Sequence, residues 1–118
     1  MGFTKSRKLS AKVDEKAWNV DLRDGFLRVT TPAHKRAKIR MDDVIGIAIE
    51  TNDSGPWGSD VIWHVTDGNL SVHFPMGATG EEVILSAFQR LPGFDNQAMI
   101  NAMGSTLNDI FVVYKKLK

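Results

Sequence analysis

The sequence predicts an α+β fold: a strongly bent antiparallel sheet or small open barrel of about six strands, one covering helix, a short helix and a final strand. Two observations carry this prediction. From Trp18 to Phe74 apolar and polar residues alternate in short runs, and Asp24-Gly25 and Asp67-Gly68 break those runs as tight hairpins do. Helical spacing of apolar residues begins only afterwards, at Ile84.

Residues 1–16 contain five Lys/Arg and few apolar side chains, so they read as a flexible basic lead-in to a single domain over 17–118. Met1-Gly2 followed by Ser6 also fits an N-myristoylation pattern, but that pattern constrains too few positions to carry weight. Trp18, Val20 and Leu22 share one face of a first strand, and Asp24-Gly25 turns the chain into Phe26 to Thr31. Pro32 stops that strand. In the next, Ala37, Ile39 and Met41 point inward while Lys38 and Arg40 point outward.

Val44, Ile45, Ile47 and Ile49, separated only by Gly46 and Ala48, describe a central strand covered on both faces. The stretch from Asn52 to Ser59 is a loop by composition, built around Trp57. Val61, Trp63 and Val65 form one face of the following strand, and a two-residue hairpin at Asp67-Gly68 leads into Leu70, Val72 and Phe74. Ile62, His64, Thr66, Ser71 and His73 then occupy the opposite face, with the histidines toward solvent.

Thr79-Gly80-Glu81-Glu82 has the form of a capping box, and Ile84, Ala87, Phe88 and Leu91 make the buried stripe of the helix it starts. Pro92-Gly93 ends that helix. Asp95 or Asn96 caps a second one, which buries Met99, Ala102 and Met103 and stops at Gly104. Between Asp109 and Lys116, Ile110, Val113 and Tyr114 fit a helical stripe, but β-branched and aromatic content favours a strand.

With 118 residues and 42% hydrophobic content, one domain with a real core is expected. The net charge of +1 hides an asymmetry: residues 1–40 carry eleven Lys/Arg against four Asp/Glu, and residues 41–118 carry four against ten. Juxtaposed segments that neutralise each other explain this more simply than a basic arm. The absence of cysteine excludes disulfides and thiolate chemistry. No apolar run reaches the roughly 20 residues of a membrane span and no secretory signal is seen, so a cytoplasmic protein is expected.

GPWGSDVIW at Gly55 to Trp63, PMGATG at Pro75 to Gly80 and LPGFDNQAMINAMGST at Leu91 to Thr106 resemble the motifs of a family of small uncharacterised bacterial proteins. The resemblance covers residues 43 to 115 and implies a shape similar to pleckstrin-homology-like domains, with no activity attached. Small bacterial proteins of this kind include adaptor and immunity types, an analogy at the level of the fold.

The functional expectation is a non-enzymatic protein-interaction module, with Trp57, Asp60 and Phe94 as contacts and no cofactor. The alternative is a binder of anionic ligands, nucleic acid or acidic lipid headgroups, through Arg28, Lys35, Arg36, Lys38 and Arg40. No aromatic residue interleaves that stretch, so base stacking is not supported by it. His64 and His73 fall on one face as diagonal neighbours beside Asp60, a spacing wider than shared metal ligation prefers, and no metal site is expected. Asp42-Asp43 and Glu81-Glu82 are adjacent in sequence only. Ser86 and Ser105 lack the surroundings of a nucleophile, and Gly77 to Gly80 lacks the lysine of a phosphate loop.

Overall fold

The computed structural model describes residues 15–53, 59–105 and 108–116. Seven strands form two antiparallel sheets, and two helices lie between the sixth strand and the last. The first sheet has the order β1-β2-β3, from β1 (Asn19–Arg23), β2 (Phe26–Thr30) and β3 (Arg36–Arg40). The second has the order β6-β5-β4-β7, from β4 (Gly46–Asp53), β5 (Ser59–Thr66), β6 (Ser71–Pro75) and β7 (Asp109–Lys115). The α+β class and the final strand are as expected. One continuous bent sheet or barrel is not what forms, and both sheets stay open. Strand β4 pairs with β5 on one side and β7 on the other, so β3 has no edge of β4 to join. The chain passes between the sheets through a 3₁₀ turn at Met41–Asp43.

The first hairpin follows its sequence closely. Asp24 and Gly25 both take positive φ, 54° and 80°, as a two-residue turn matching strand twist requires. The register is thereby set: Arg23 faces Phe26, and Leu22 faces Leu27. The β5–β6 hairpin differs from expectation by one position on each strand. Its turn is centred on Gly68-Asn69, with Asp67 and Leu70 paired through a 3.0 Å backbone bond. Asp67 Oδ1 accepts from the amides of Asn69 at 2.8 Å and Leu70 at 2.6 Å, and these bonds lower its pKa. Because the slip keeps the parity of both strands, the expected faces survive while the pairing partners change.

Strand β7 contains a bulge. Ile47 pairs with Tyr114 and Ala48 with Val112, which leaves Val113 between them and allows the consecutive side chains of Val113 and Tyr114 both to be buried. That irregularity produced the helix-like spacing in the sequence.

The core joins both sheets and both helices. Val20, Leu27, Val29 and Ile39 from the first sheet meet Ile47, Ile49, Trp63, Val65 and Phe74 from the second, with Ile84 and Phe88 of α1 (Glu81–Gln89) and Met99 of α2 (Asn96–Met103) packed among them. Trp63 stacks on Phe74 with centroids 6.3 Å apart and tilts against Phe88 at 5.4 Å. Each such fully buried side chain contributes about 1.5–3 kcal/mol. Asp95 caps α2 by accepting from the Ala98 amide, while Met103, expected inside, is exposed.

The capping box does not form. Thr79 is engaged elsewhere: its amide donates to Trp18 O at 2.8 Å, its carbonyl accepts from Val20 N at 2.9 Å, and its hydroxyl donates to Lys16 O. The position before α1 falls to Gly80, whose φ is 93° and where a Cβ would sit 2.1 Å from the Val20 carbonyl oxygen. Glu81, the first residue of the helix, turns its carboxylate away from the helix amides. One of its oxygens accepts from the Gly77 amide and the other from the buried Trp63 indole at 2.8 Å. No helix among the described residues is long and apolar enough to cross a membrane.

Candidate functional site

The outer face of β1–β3 collects the basic residues. Inward positions Val20, Leu27, Val29 and Ile39 are buried, so alternation places Asn19, Asp21, Arg23, Phe26, Arg28, Thr30, Arg36, Lys38 and Arg40 on the other side. The register arranges them in three cross-strand rows: Asn19, Thr30 and Arg36; Asp21, Arg28 and Lys38; Arg23, Phe26 and Arg40. Five cations thus share one face with a single carboxylate.

That carboxylate is committed to one cation. Arg28 grips Asp21 bidentately, Nε to Oδ1 at 2.6 Å and Nη2 to Oδ2 at 2.7 Å. The hydrogen bonds to Arg28 hold Asp21 below the usual carboxylate range, and the same bonds raise Arg28 further. Among the described residues no carboxylate lies within ion-pair distance of Arg23, Arg36, Lys38 or Arg40. Lys38 places its ammonium 4.6 Å from the centroid of the Phe26 ring, a cation–π contact on a half-buried aromatic. A groove of about 510 Å³ runs over this region, lined by Asp21, Arg28, Thr30, Arg36 and Lys38 together with Val29 and Ala37. Unpaired cations above a groove suit a ligand that carries several negative charges.

A second polar cluster lies on the four-stranded sheet, on the face opposite Ile49 and Trp63. Glu50 is fully buried there. Its Oε1 lies 2.8 Å from His64 Nε2, and its Oε2 accepts from Asn52 Nδ2 at 3.1 Å. The hairpin slip pairs His64 directly with His73, with ring centroids 6.0 Å apart. The expectation of two solvent-facing, diagonal histidines is therefore corrected: His64 is buried against Glu50, and only His73 reaches solvent. The His73 ring also tilts against Trp18 at 6.2 Å. Desolvation, with the neighbouring His64 second, lowers the His73 pKa against the opposing pull of Glu50. No group of three metal-binding side chains forms among the described residues.

The structure brings Arg28, Arg36, Lys38 and Arg40 together and separates Lys35 from them. Lys35 precedes β3 on the side of Ala37 and lines a small gap between the sheets with Trp18, Ser71 and His73, a gap that Arg36 also borders. Phe94 is half-buried and packs on the core, its amide donating to Leu91 O at 3.1 Å. Trp57, the Asp60 side chain and the lead-in through residue 14 lie outside the described residues. Two members of the basic face, Arg23 and Phe26, were missed by reading residues 28–40 alone. The Asp24-Gly25 turn already implied that they face each other, but their place beside Arg40 follows only from the β2–β3 register.

No protein-family model matches the chain, and no curated protein or solved structure matches it.

Proposed function

We propose that this protein is a binding module for a phosphate-bearing ligand, held without chemistry on the outer face of β1–β3. The observation that carries the reading is the set Arg23, Arg36, Lys38 and Arg40: four cations on one sheet face, with no described carboxylate within ion-pair distance of any of them. Cations that serve only to keep a sheet edge soluble need no common face and no groove. Here Arg36 and Lys38 of an edge strand line a groove of about 510 Å³ with Arg28, and Arg40 continues their row beside Phe26 and Arg23. Of the protein-interface expectation, Phe94 packs on the core, while Trp57 and the Asp60 side chain lie outside the described residues. The motif resemblance adds no activity to either reading.

The test is binding of the 118-residue chain to a labelled single-stranded oligonucleotide, a labelled duplex and phosphatidylserine vesicles, from about 50 mM to about 200 mM salt. Binding to at least one probe is expected, weakening steeply with salt, and the double variant Arg36→Gln/Arg40→Gln should lose about ten-fold or more in affinity. Failure of all three probes to bind at the lowest salt would remove the reading. So would a double variant that binds like the parent.

A further inference from the structure

Building on that reading, we infer that the phosphate-bearing ligand is a single-stranded nucleic acid, with a base stacked on Phe26 and the sugar–phosphate backbone following Arg36, Lys38 and Arg40. These three cations are alternate residues of β3, so their Cα atoms step along the strand by about 6.6 Å each. A row of that kind offers one cation after another to an extended polyanion. Phe26 stands beside the row, opposite Arg40 and between it and Arg23. The contact from Lys38 shows that a face of the ring is open to the outer surface, because a flexible ammonium occupies it at 4.6 Å. Lys38 can swing to a phosphate and leave that face to a base. Stacking of this sort tolerates any base, since each presents a π-face. Asn19 and Thr30, in the same row as Arg36, supply hydrogen-bonding groups for base edges.

Two alternatives fit the face less well. A duplex is commonly read by a helix or a two-stranded ribbon in its major groove, and a sheet that meets it face-on relies on apolar side chains wedged between base steps, whereas this face carries cations around one half-buried aromatic. An acidic membrane holds a surface site by apolar insertion as well as by charge. Among the described residues the exposed large apolar side chains are Leu70, Val83, Ile100, Met103 and Val112, and all belong to other elements. The charge balance elsewhere bears on all three ligands alike. Residues 41–118 carry ten acidic side chains against four basic ones, a field that repels phosphate from the remaining surface.

The experiment measures anisotropy of a labelled oligothymidine of about twelve residues, long enough for a typical single-strand site. Three proteins are compared: the parent chain, Phe26→Leu and Arg36→Gln/Arg40→Gln. Leucine keeps an apolar side chain at a half-buried position and removes the π-face, and circular dichroism verifies that each variant is folded. Four unpaired cations predict a log–log salt slope near about −3, and the arginine variant should flatten it by about 1.4. Phe26→Leu should weaken binding at least about five-fold while leaving the slope unchanged. A Phe26→Leu protein that binds like the parent, with a normal slope, would overturn the stacking site and leave the phosphate-ligand reading standing. Preference for the duplex or for phosphatidylserine vesicles over oligothymidine would overturn the single-strand assignment. Binding to none of the probes would remove both.

Discussion

The polar residues of the two sheets handle charge in opposite ways. On the four-stranded sheet, Glu50 is fully buried, and its carboxylate is answered by His64 at 2.8 Å and Asn52 at 3.1 Å. On the three-stranded sheet, the cations stand in solvent, and one of the five has a carboxylate partner. A buried charge must be met by partners already within the chain, or folding would bear the full desolvation penalty. An exposed cation bears no such penalty and can wait for a partner from outside. The comparison separates charge that builds the structure from charge that is available to a ligand.

Variants can break that separation, and the largest effect belongs to the buried side. Glu50→Ala leaves His64 and Asn52 facing a cavity, and urea unfolding should show a loss of about 3 kcal/mol. Oligothymidine binding by the folded fraction should not change. A loss under about 1 kcal/mol would mean that the pair contributes little and that the contrast is false.

His73, between the two regions, should give a smaller effect that depends on pH. Its folded pKa lies below the ordinary value of 6.5, so below that value the unfolded chain binds more protons than the native one. Its contribution to stability is complete above 6.5 and declines as pH falls toward the folded pKa. Urea midpoints at about pH 7.5 and about pH 5.5 should therefore fall further for the parent than for His73→Gln. The opposite ordering would show that attraction to Glu50 outweighs desolvation.

The smallest expected change in stability is at Asp21. Asp21→Asn removes an exposed partner from Arg28, so the unfolding midpoint should barely move. The freed guanidinium should steepen the oligothymidine salt slope by about 0.7. An unchanged slope would place Arg28 outside the binding face.

Much of this was legible in the sequence where local rules act alone. Asp24-Gly25 dictated its hairpin, alternation named the buried face of β1 and one of the two buried faces of β5, and the spacing of Ile84 and Phe88 named the inner side of α1. Non-local competition decided the rest. Thr79 had the right side chain for a cap, but its backbone was claimed by Trp18 and Val20, far back in the chain. Val113 and Tyr114 looked helical because a bulge, invisible without the partner strand, turns both inward. The candidate site was half legible for the same reason. Reading β3 alone found Arg36, Lys38 and Arg40, and only the cross-strand register placed Phe26 among them.

The clip between Thr79 and the start of β1 also bears on the order of folding. Asn19 and Thr79 are sixty positions apart, whereas the β1–β2 and β5–β6 hairpins close over a few residues. Hairpins of that kind form in about 1–10 μs, while a closure over so long a loop must first overcome chain entropy. The β4–β7 pairing closes a loop of similar length, with Gly46 opposite Lys115, so the long-range closures fall on the four-stranded sheet and on the clip in which Gly80 lies against the Val20 carbonyl. The cationic face, by contrast, rests on β1–β3, whose pairings join only neighbouring stretches of the chain.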